Sequence, residues 1–142
     1  MQLEAMMFAN AAAIDEKSLL AVQGAGWESY DVEMFPATIS GFVAGILALD
    51  RSQHGEAEEM TLDILDDDGQ VVGSSASIIA SGIRPETTEG VPYRFPFAIP
   101  FMTAARGPTV VKARLTTTGD VELGVISFAL RGGMPDAPPE DL

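Results

Sequence analysis

His54 is the only histidine in the chain, and it stands among the acids Glu56, Glu58 and Glu59. An imidazole beside carboxylates can bind zinc or share a proton in acid–base catalysis. Zinc sites draw on several histidines or cysteines, however, and the chain has no cysteine. Any metal there would rest on carboxylates, so the set reads as a charged surface loop. Further on, Asp66-Asp67-Asp68-Gly69 clusters the hard oxygens that calcium prefers. An EF-hand loop in that register would begin at Ile64 and close at Ser75, and neither is an acid. Asp66, Asp67 and Asp68 are the one candidate metal set; the stronger reading is a hairpin turn, in which short acids accept backbone hydrogen bonds and glycine supplies a positive φ.

Nucleophile and cofactor patterns are missing. Gly73-Ser74-Ser75-Ala76 lacks the second glycine of a nucleophile elbow. Gly24-Ala25-Gly26 begins like a dinucleotide loop, but Ser29 stands where the third glycine belongs. No phosphate-cradling loop occurs, and without cysteine no thiol nucleophile is available. The expectation is a protein that is not an enzyme, with no catalytic residue and no cofactor. Trp27 and Tyr30 remain as candidate contacts for a ligand or a partner, since exposed aromatics stack on sugar rings and anchor interfaces. The competing reading is that Trp27 caps the core.

Charge narrows the partners. Lys and Arg total 8, Asp and Glu 21, and the net charge is −13. Such a surface repels nucleic-acid phosphate and anionic membrane, so neither is expected as a partner. No basic stretch followed by an apolar one opens the sequence, and the most apolar run, Ile39 to Leu49, is far short of the ~20 residues that span a bilayer. Together with the missing cysteines, these features point to a cytoplasmic location.

The elements that would carry these residues read as strands. The 14 Gly and 9 Pro fall between apolar runs, the mark of many turns. A first strand runs to about Ala9 and gives way to an irregular Ala-rich turn. Leu19 to Gln23 is short. Trp27 and Tyr30 lie in a polar loop ending at Phe35-Pro36. Thr38 to Leu49 is apolar on both faces, as in a central strand covered on both sides. Met60, Leu62 and Ile64 alternate with polar residues, Val71-Val72 begins the return, and Ala76 to Ser81 follows. Tyr93, Phe95, Phe97, Ile99 and Phe101 alternate with a series that includes Pro96 and Pro100, which makes this an edge strand or an extended cover. Val111 to Leu115 and Val121 to Leu130 form a hairpin around Thr118-Gly119-Asp120, and the apolar set shifts phase near Gly124, as a β-bulge would cause. Residues 132–142 are acidic and Pro-rich and read as a disordered tail.

About eight strands and no long helix predict an all-β single domain over residues 1–131, an antiparallel two-sheet sandwich or jelly roll. The run Phe8-Ala9-Asn10-Ala11-Ala12, the stretch from Lys17 to Gly26-Trp27, Phe35-Pro36, and Thr61-Leu62-Asp63-Ile64-Leu65 with its acidic turn resemble a family of small bacterial all-β domains of unknown function. That resemblance covers about residues 2 to 130 and implies the fold; it carries no activity. The functional expectation is a non-enzymatic interaction or assembly domain, with a protein partner or further copies of itself. The alternatives are a carbohydrate-type binding module using Trp27 and Tyr30, and a divergent hydrolase using the carboxylates near His54.

Overall fold

The computed structural model describes residues 2–49, 57–73, 76–81, 93–117 and 119–132. His54, Ser74, Ser75 and the Pro-rich segment after Gly132 lie outside them. The described chain contains nine strands and no helix: β1 (Gln2–Ile14), β2 (Leu20–Ala25), β3 (Ser29–Val32), β4 (Ala37–Leu49), β5 (Ala57–Leu65), β6 (Ala76–Ser81), β7 (Tyr93–Ala105), β8 (Thr109–Thr117) and β9 (Glu122–Gly132).

They form two sheets. The four-stranded sheet has the order β2-β1-β4-β7, and the five-stranded sheet the order β3-β9-β8-β5-β6. The all-β two-sheet fold expected from the sequence is therefore present. Two corrections concern its detail. The segment read as a polar loop with Tyr30 contains β3, which pairs with β9 in parallel, so the sandwich is not wholly antiparallel. Tyr30 and Val32 of β3 pack on the core while Asp31 faces Arg131 across the ladder. Four residues are too few for that alternation to stand out. The Ala-rich segment after Ala9 is also not a turn: β1 continues to Ile14, with Ala11 to Ala13 paired to Ala21 to Gln23 of β2.

The core lies between the sheets. Phe8 of β1, Ile39, Val43 and Leu47 of β4, and Phe97 and Phe101 of β7 meet Met60, Leu62 and Ile64 of β5, Val111 and Leu115 of β8, and Phe128 of β9. Each large side chain buried in this way contributes about 1.5–3 kcal/mol. Period two puts every second residue of these strands inside. On β4 the inward set also contains Gly41 and Gly45, and both are required by close approach. A Cβ on Gly41 would lie 2.6 Å from Cη2 of Trp27. One on Gly45 would press on the Ala5 carbonyl oxygen and lie 2.5 Å from Cζ of Phe97.

β7 is an edge strand, as its prolines demand. Pro96 and Pro100 sit at positions of one parity, so their missing N–H groups fall on one side of the strand, the open one. The bulge near Gly124 is present too: Leu115 pairs with Gly124 and Thr116 with Glu122, leaving Leu123 extra. The Cβ that Gly124 lacks would collide with Cδ2 of Leu3, so the bulge brings bare backbone against the opposite sheet.

Gly45→Ala should destabilise the fold by about 1–3 kcal/mol, because the carbonyl it meets is backbone and cannot swing away. Gly107→Ala, where a Cβ meets nothing within 4 Å, should be close to neutral. Denaturant midpoints of the two variants check the contrast; equal midpoints would refute the packing described.

Candidate functional site

Trp27 closes one end of the core. Its ring stacks on Phe8, with centroids 5.9 Å apart and planes 16° apart, and meets Phe128 edge-on at 5.2 Å. Tyr30 leans on it at 4.9 Å. The indole N–H donates to Oδ1 of Asn10 (3.0 Å) and to the Gly24 carbonyl (2.9 Å). The sequence brought Trp27 and Tyr30 together correctly, but the ring is held from several sides and its one donor is already in use. The geometry is that of the core cap weighed against a stacking platform.

Asp66, Asp67 and Asp68 form a turn. Oδ1 of Asp66 accepts from the backbone N–H groups of Asp68 and Gln70, both at 2.9 Å. Asp66 N–H donates to the Gln70 carbonyl and Gly69 N–H to the Asp66 carbonyl, with Gly69 at φ +82°. The same pattern recurs at Asp15–Leu19, with Ser18 at φ 63°, and at Thr117–Val121, with Asp120 at φ 59°. All three are hairpin loops in which a tight turn is followed by one left-handed residue. The Thr117 loop keeps the same backbone pattern without a leading acid; in the other two the first acid adds a carboxylate oxygen that accepts from two backbone N–H groups of the turn. No group of three or more acids or histidines is placed to hold a metal among the described residues. The loop carrying His54 lies outside them.

The outer face of the five-stranded sheet is mostly polar among the described residues, with Val125 the exposed exception. Thr61 and Asp63 of β5, Arg114 and Thr116 of β8, and Glu122 of β9 line a depression of about 430 Å3. Arg114 lies 3.6 Å from Asp63, its cross-strand partner, and its buried Nε has no hydrogen-bond acceptor among the described residues. With Asp120 also at the rim, charges of both signs meet there. No ion of either sign has an evident advantage.

The outer face of the four-stranded sheet is of a different kind. The residues that alternate with the core set run in rows across the strands: Ala5, Ile46 and Pro96; Met7, Ala44 and Ala98; Ala25, Ala9, Phe42 and Pro100; Ser40 and Met102. Met102 is 56% exposed, Phe42 and Ile46 half-buried. One ion pair stands at the end of this face. Arg94 reaches over to Glu4 with two hydrogen bonds, 2.7 and 3.1 Å. Those bonds and the nearby carboxylate hold the guanidinium above its usual pKa. Arg94 is the cross-strand neighbour of Ala48. β4 was expected to be covered on both faces. Among the described residues no further layer packs on this one; Ala44 and Ala48 are buried within it, while Phe42 and Ile46 are half-buried and Met102 is exposed.

Beyond Ala9 the sheet splits. β1 leaves β4 and continues with β2 alone, as a two-stranded ribbon. Its Ile14, Val22 and adjoining Leu19 are 41%, 39% and 60% exposed. Where it departs, a hollow of about 550 Å3 opens, lined by Asn10, Ser40, Gly41, Phe42, Pro100 and Met102, with Phe101 at its floor. No pattern in the sequence signals this split. β4, β8 and β9 are all interior strands, so none of them offers a free edge. No protein-family model matches the chain, and no curated protein matches it.

Trp27→Phe removes a donor from two acceptors and should cost about 1–2 kcal/mol of stability, whereas Asp66→Ala should cost about 0.5–2 kcal/mol through loss of the turn acceptor. Thermal melts of both variants, with and without millimolar calcium, check this. A melting temperature that rises with calcium in the parent and not in Asp66→Ala would contradict the turn assignment.

Proposed function

We propose that this chain is an interaction or assembly domain that works by contact, with the outer face of its four-stranded sheet as the contact surface. The observation that carries the reading is the asymmetry between the two outer faces. One is built from Ala, Pro, Met, Phe and Ile and bears a single, mutually neutralised ion pair. The other carries Thr61, Asp63, Lys112, Arg114, Thr116 and Glu122, with Val110, Val125 and Ala129 set among them, as a solvated face does. Contiguous exposed apolar surface of this extent marks a place where something docks.

The chain's net charge of −13 supports the same choice. An acidic surface keeps molecules apart except where charge is absent, and the apolar face is such a place. The prolines of β7 favour a face over an edge, because they blunt strand addition along that side. The lack of cysteine fits a reducing cytoplasm as the working compartment.

A photoactivatable cross-linker placed at Met102 or Ile46 in the full chain, irradiated in expressing cells, should give discrete higher-mass adducts. The same group at Val125, which is 42% exposed on the other sheet, should give none. Equal adduct yields at the two faces, or none at either, would overturn the reading.

A further inference from the structure

Resting on that reading, we infer that the occupant of the apolar face is a second copy of this chain, and that the β1–β2 ribbon of each copy packs on the outer face of the other's four-stranded sheet. Both halves of the contact are present in one molecule. The ribbon offers Ile14, Leu19 and Val22 to solvent. The face offers the hollow beside Phe42, Pro100 and Met102. When an exposed element and its apolar receptor lie on the same chain, two copies related by a two-fold axis satisfy both at once.

The ribbon needs such support. Two strands with no third neighbour are marginally stable in water. From Asn10 onward β1 is hydrogen-bonded to β2 alone, β2 approaches β4 and β7 at only a few points, and every residue of β2 after Leu20 is exposed. Its charged residues, Asp15, Glu16 and Lys17, are confined to the turn, so its flanks can be desolvated at little electrostatic cost.

The area suffices. β4 and β7 carry 13 residues each. With the part of β1 that pairs with β4, Gln2 to Ala9, beside them, at ~3.3 Å per residue and ~4.8 Å between strands, the face measures about 540 Å2 per copy. Two such faces give about 1,100 Å2, and the ribbons add the remainder that brings the contact to the lower end of standard stable interfaces, about 1,200 Å2. The flat relief of Ala and Pro suits two sheets approaching to ~10 Å. Electrostatics adds a signature. Two chains of net charge −13 repel through their other surfaces, while the contact itself carries only the closed Glu4–Arg94 pair. Added salt screens the repulsion and should therefore tighten the assembly.

The test is the solution mass of the full chain by light scattering on a sizing column, at roughly 50 and 500 mM salt. The expected result is twice the chain mass, with the dimer holding to lower protein concentration at high salt. Val22→Glu on the ribbon and Met102→Glu on the face should each give the single-chain mass, and Val125→Glu should leave the dimer intact. Circular dichroism of each variant confirms the strand signal, and the milder Val22→Ser and Met102→Gln should each weaken the dimer about tenfold. A parent of single-chain mass at both salts overturns the inference, as does a dimer that survives either charged variant. If the parent is single-chain while Met102 still cross-links to a different protein, the second copy is refuted and the contact surface stands. If it is single-chain and Met102 captures nothing, both fall.

Discussion

The structure depends on one constraint: β4 is apolar on both sides, and a two-sheet sandwich has an inner side only once. Period two sends Ile39, Val43 and Leu47 inward, where the five-stranded sheet covers them, and sends Phe42, Ala44 and Ile46 outward. Parallel sheets meet the same difficulty with a layer of helices on the second face. The described chain has none. It reduces the exposed relief with alanine instead, and the larger Phe42, Ile46 and Met102 remain partly in solvent. The closed Glu4–Arg94 pair and the blunted edge of β7 follow the same logic, since each keeps the face from being either charged or extended by another strand.

Inside, an aromatic cluster fixes how the sheets meet. Phe8 from one sheet and Phe128 from the other come together at 4.8 Å, nearly perpendicular, and Trp27 covers both. Gly41 makes room for the indole tip, and Asn10 and the Gly24 carbonyl anchor its nitrogen. The anchor lies where β1 parts from β4. Trp27 thus ties the base of the ribbon to the core, and core packing and ribbon position are linked through a single side chain.

Much of this was legible in the sequence because it is local. The alternation of Met60, Leu62 and Ile64, the phase change at Gly124 and the prolines of β7 each act within one strand, and each appears in the structure where the pattern placed it. The turn at Asp66 was readable from short acids followed by glycine. What was not legible depends on neighbours distant in sequence. β3 is four residues long and becomes a strand only because β9 lies alongside it. Ala11-Ala12-Ala13 has no alternation of its own and is a strand because β2 returns along it. The two apolar faces of β4 could be read, but strand order decides which one the fold covers. Strand order likewise brings Phe8, Phe101 and Phe128 around Trp27, a neighbourhood that no local pattern announces.

The contact surface is therefore a remainder of the fold, the apolar area that one sandwich cannot bury by itself. The most direct measurement is the accessibility of individual methyl groups, read by NMR from the broadening caused by a soluble paramagnetic agent in concentrated full-length protein. The account predicts that the methyls of Met7, Ile46 and Met102 are shielded beyond what their own chain provides, while those of Val121 and Val125 on the other sheet stay open. Met102 relaxing as fast as Val125 would contradict it, and would mean that the apolar face is simply solvated.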